Sequence, residues 1–89
     1  MLELNEVKML LKDYDWNAIP MPESESDNKY YMDLANTLSI PVYNYIIDKV
    51  HNEVFKGIHA YESDYVMAVG YIYNKIKGES KWIAIHLKH

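Results

Sequence analysis

Histidine and carboxylate are the side chains in this sequence best able to move a proton or hold a metal ion. The histidines are His51, His59, His86 and His89. His51 stands two residues before Glu53, and His59 stands three before Glu62. A separation of two puts side chains on different helical faces, and neither pair extends into a zinc-ligand pattern. Ser63 follows His59 by four residues, but no glycine-flanked elbow presents it as a nucleophile. Asp13 and Asp15 fall in a predicted loop, where nothing would raise a carboxyl pKa toward the range useful in catalysis. Cysteine is absent, which removes thiolate nucleophiles, disulfides and sulfur-ligated zinc. The three glycines are widely spaced, so no phosphate-cradling loop is formed. These residues point to a non-enzymatic protein with no catalytic, cofactor-binding or metal-ligating set.

Charge narrows the choice of partner. All nine basic residues are lysine, against thirteen acids, for a net charge of −4. Arginine, which grips phosphates and base edges with two fixed donors, does not occur. The abundance of lysine, asparagine, isoleucine and tyrosine fits AT-rich coding, as in a low-GC bacterium or its phage or plasmid. Five acids and no lysine lie between positions 13 and 27: Asp13, Asp15, Glu23, Glu25 and Asp27. Such a run is either a solvated loop or an acidic face for a basic protein partner.

The elements that must carry these residues follow from periodicity. At 89 residues the chain is one small domain, and 49% hydrophobic residues make it globular. Leu4, Val7, Leu10 and Leu11 predict a helix over about 5–13 with Asn5 as its cap. Pro20 and Pro22 bar a helix across the next segment, where a short extended piece around 16–19 is expected. Tyr31, Leu34, Ala35 and Leu38 predict a second helix over 27–38. Pro41 starts a third, with Val42, Ile46 and Val50 on one stripe and Gly57 as its stop.

The last third admits two readings. Residues 65–76 hold seven Val, Ile or Tyr residues in twelve, which favours a strand. Residues 81–87 alternate in hydropathy, and a turn at 77–80 would pair the two runs as an antiparallel hairpin. One face would then gather Val66, Ala68, Ile72, Ile83, Ile85 and Leu87, and the other Tyr71, Tyr73, Lys75, Trp82, His86 and Lys88. Residues 58–61 could add a third strand. The alternative is a fourth helix, capped by Ser63 and stopped at Gly78, followed by one C-terminal strand. The hairpin reading gives an α+β fold of three helices and a hairpin. Its exposed edge would invite a second copy as a homodimer.

Residues 32–46, with Ala35 at the crossing and Leu38 and Ile40 around the turn, resemble a helix-turn-helix, with Ser39 where glycine is common. The order of elements is similar to a winged helix. That resemblance implies a DNA-binding transcriptional regulator. Its recognition helix would offer Asn44, Lys49 and Asn52, and its wing Lys75, Lys77 and Lys81. The residues themselves weigh against DNA, because Asp48 and Glu53 cancel Lys49 and Lys56 along the recognition helix. The face of Tyr71, Tyr73, Lys75, Trp82 and Lys88 is a second candidate, as a protein interface, a stacking platform for single-stranded bases, or covered core. No apolar run approaches the roughly 18 residues of a membrane span, and positions 1–6 lack a basic, apolar leader. The expectation is therefore a cytoplasmic, acidic regulatory or inhibitory module, possessing no cofactor and acting through protein contacts.

Overall fold

The computed structural model describes the backbone over residues 1–16 and 25–87, and side chains over 1–16 and 28–78. Helix α1 spans Leu4–Leu11, α2 Glu25–Asn36, α3 Ile40–Lys49 and α4 Glu62–Leu87. A π-helical turn, Val50–Val54, extends α3. No strand occurs among the described residues.

The expected α+β class, its C-terminal hairpin and the winged helix are thereby corrected. Residues 62–87 form one helix of 26 residues, about 39 Å long at 1.5 Å per residue. Neither the strand at 58–61 nor the terminal strand of the four-helix alternative forms. The cause is burial. Met67, Ala68, Val69, Tyr71, Ile72 and Tyr73 are all buried, so this stretch of α4 is apolar around most of its circumference. A helix surrounded by other helices has that composition, and packing there outweighs the strand preference of Val, Ile and Tyr. A helix also satisfies its own backbone groups as it grows, whereas the 81–87 strand would have needed a partner.

α4 is the post on which the rest is assembled. α2 lies against it along most of its own length, α1 and α3 pack on it elsewhere, and α1 also meets α3. The closest approach is at Gly70. A β-carbon built there would stand 1.8 Å from the Tyr31 carbonyl oxygen and 2.6 Å from its carbonyl carbon, so only glycine lets α2 lie this near. Beside this point the Tyr31 and Tyr71 rings meet edge to face at 5.2 Å. The core is completed by Val7 and Leu11 from α1, Ala35 from α2, Val42 and Ile46 from α3, Val50 from the π turn, and Ile76. Tyr73 is buried, and its hydroxyl accepts a hydrogen bond from the Leu2 amide at 3.0 Å, which fixes the chain ahead of α1.

The first two helices lie within two residues of their expected bounds, and the third does so once the π turn to Val54 is counted with it; the caps differ. Glu3 takes the α1 cap position in place of Asn5, and its amide donates to Glu6 Oε1 at 3.2 Å. At α4 the Tyr61 amide donates to Asp64 Oδ2 at 3.0 Å, so Ser63 is inside the helix and not its cap. Gly57 has φ 71°, the left-handed conformation anticipated for a glycine after a helix. The Ile58 amide then closes a turn onto the Phe55 carbonyl at 3.0 Å. The extended piece proposed around 16–19 falls almost wholly outside the described residues.

Candidate functional site

An open groove of about 570 Å³ runs between α3 and the beginning of α4. One wall is a stripe on α3 and the π turn. Asn44, Asp48 and His51 follow one another at separations of four and three, so they share a face, with Ile47 beside them. The other wall is Ala60, from the connection after Gly57, with Glu62 and Tyr65 from the first turn of α4. Two carboxylates thus flank an aliphatic and aromatic floor.

His51 and Tyr65 join the walls. The imidazole Nδ1 and the Tyr65 hydroxyl lie 2.9 Å apart and share one hydrogen, with the donor set by the imidazole tautomer. Their rings are stacked with centroids 5.9 Å apart, and Phe55 meets Tyr65 edge-on at 4.9 Å. His51 is placed by the π turn, in which the Phe55 amide reaches back five residues to the Val50 carbonyl at 3.0 Å. Such turns widen the helix locally and are frequent where a side chain must be re-aimed. Nearby, burial raises the pKa of Tyr43 above the ordinary tyrosine value, and the Glu62 carboxylate adds to the shift.

The polar groups of the groove are suited to binding. Asp48 and Glu62 form no ion pair among the described residues. Lys49, adjacent in sequence, turns away and lies over the Tyr45 ring, 5.7 Å from its centroid. Among the described residues no group of three or more His, Asp or Glu converges as a metal ion would require. Among the described residues no serine or threonine lines the groove beside His51.

The residues singled out from sequence are dispersed. Asp13 and Asp15 are exposed after α1. Glu23 lies outside the described residues. Glu25 and Asp27 belong to the first turn of α2, not to a loop, and their side chains lie outside the described residues. Of the three readings of the aromatic face, Tyr71 and Tyr73 follow that of covered core, 6% and 1% exposed, because α1 and α2 cover that part of α4. Lys75 is exposed and sits over the Tyr71 ring at 5.6 Å. Trp82 and Lys81 are on α4 with side chains outside the described residues, and Lys88 is outside them altogether.

The six residues assigned to DNA are divided among α3, the π turn and α4, and the Lys81 side chain is outside the described residues. Asn44 is in the groove beside Asp48 and Glu62, Lys49 and Lys75 rest on tyrosine rings, and Asn52 is exposed on the π turn. Lys77 and Lys81 belong to α4 and not to a wing. Thr37, Leu38 and Ser39 do separate α2 from α3, but α2 packs on α4 and not face to face with α3. The strand edge from which a homodimer was expected does not exist among the described residues.

Sequence inspection missed the groove. Its α3 stripe was visible as the spacing of Asn44, Asp48 and His51, whereas His51 had been weighed only against Glu53. The contribution of Glu62 and Tyr65 depends on how α4 docks and had no local signal. No family model, curated protein or solved structure matches the chain. Among the described residues no helix is long and apolar enough to cross a membrane.

Proposed function

We propose that this protein is a non-enzymatic regulatory or inhibitory module that acts by binding another protein. The observation that carries the reading is the groove together with its apolar border. Ile58 is 61% exposed and Tyr61 is 74% exposed, both in the connection that supplies Ala60. Large apolar side chains bordering a concave, partly aromatic surface are what a protein interface offers at its centre. The negative net charge and the scatter of the lysines support a protein over nucleic acid as partner.

The test is affinity purification of the tagged protein from its host lysate, with and without nuclease, read by mass spectrometry. A specific protein should survive nuclease treatment and be lost with the Ile58→Ser, Tyr61→Ser double variant. Release of all bound material by nuclease would show a nucleic-acid binder and overturn the reading.

A further inference from the structure

We infer that the groove seats a basic segment of the partner, with one lysine or arginine side chain lying along Ile47 and Tyr65 and its charged head between Asp48 and Glu62. This rests on the protein-binding reading above and adds the chemistry that the partner presents.

Charge complementarity selects the occupant. The groove carries two carboxylates and no lysine, and neither carboxylate has an ion pair among the described residues. The lysine nearest in sequence is held over Tyr45, and no lysine among the described residues lines the groove. Ile47, Ala60 and Tyr65 make the rest of the lining partly aliphatic and aromatic. That combination matches a side chain with a long apolar stem and a cationic end. An arginine would also present its flat guanidinium to the aromatic wall that Tyr65 supplies. Asn44, on the same stripe, offers a side-chain amide to the backbone of a bound segment. The groove is larger than one side chain, and the exposed Ile58 and Tyr61 lie where a flanking apolar residue would follow. A partner with a basic patch is also drawn in by the net charge of −4.

The experiment is an amide NMR titration of the full chain with a capped peptide of alternating leucine and arginine. The matched leucine–glutamate peptide and spermidine serve as controls. Saturable shifts at Asn44, Asp48, His51, Glu62 and Tyr65 are expected from the basic peptide alone. Affinity should fall about tenfold in the Asp48→Asn, Glu62→Gln variant, as two exposed ion pairs would give. It should not change in Asp33→Asn, an exposed carboxylate on α2 that is already paired with Lys29. Shifts elsewhere, equal shifts from the acidic peptide, or unchanged affinity in the groove variant would overturn the assignment. Equal shifts from spermidine would show recognition of a free polyamine and overturn the peptide assignment. The same groove variant separates this inference from the reading beneath it. Should it capture the nuclease-resistant protein as well as the parent does, the groove assignment fails and the protein-binding reading stands. If nothing survives nuclease, the broader reading fails.

Discussion

Replacing Gly70 with alanine puts the fold to its hardest test. The added methyl would lie 1.8 Å from the Tyr31 carbonyl oxygen, 2.6 Å from the carbonyl carbon and 3.0 Å from Cα. All three atoms are backbone, so no rotamer change relieves the clash and α2 must move away from α4. Overpacking a well-filled core costs about 1–3 kcal/mol, and a backbone-to-backbone clash belongs at or above the upper end. Alanine returns about 1 kcal/mol of helix propensity relative to glycine. The net loss is therefore about 2 kcal/mol or more, against a total of about 4–13 kcal/mol for a domain of this size. At about 4–8 °C per kcal/mol, the melting temperature should fall by about 8–16 °C. Gly78→Ala is the matched control, because a β-carbon there meets nothing within 4 Å and the position is exposed on the same helix. That variant should gain about 0.5–1 kcal/mol. Thermal and urea unfolding followed by circular dichroism at 222 nm reads both. Equal stabilisation by the two substitutions would refute the close packing of α2 on α4. Loss of stability in Gly78→Ala would refute the continuous helix and point back to a turn at 77–80.

Other expectations follow from single contacts. Tyr73→Phe removes the acceptor of the Leu2 amide and should cost about 1 kcal/mol in urea unfolding, with circular dichroism unchanged. Ile46→Ala, at a side chain with no exposure, should cost about 2–5 kcal/mol and lower the melting temperature more than Tyr73→Phe does. Tyr43 should titrate above the ordinary phenol value of about 10 when followed by ring NMR. Glu62→Gln should bring its midpoint down part of the way, since burial is the larger cause. Because the folded state holds this proton more tightly than the unfolded chain, the Tyr43 contribution is intact below about pH 10. It is lost as pH rises through the folded value, which unfolding at stepped alkaline pH would follow in the parent and in Tyr43→Phe.

The legible part of the fold was the part governed by local pattern. Val7 and Leu11, Val42 and Ile46, and the glycine at 57 all declared their helices by spacing and by a stop. The illegible part was α4. Its residues 65–76 read as a strand because Val, Ile and Tyr dominate, and because burial on most sides erases the one-sided stripe that marks a surface helix. Gly70 carries no local sign of its role, since its reason lies in Tyr31, 39 positions earlier. The same gap hid half of the groove. Asn44, Asp48 and His51 share a face by arithmetic, but nothing in the order of residues brings Tyr65 to the His51 ring.

The position of α4 in the chain has a consequence for synthesis. It follows the three helices that it organises, so α1, α2 and α3 leave the ribosome before the surface they pack on has been made. At roughly 5–20 residues per second, the first 61 residues spend several seconds with their apolar stripes facing water or a chaperone. Isolated helices of 8–12 residues are marginal on their own. Folding of this protein is therefore a late event, and a nascent chain stalled before residue 62 should be as sensitive to protease as an unfolded one.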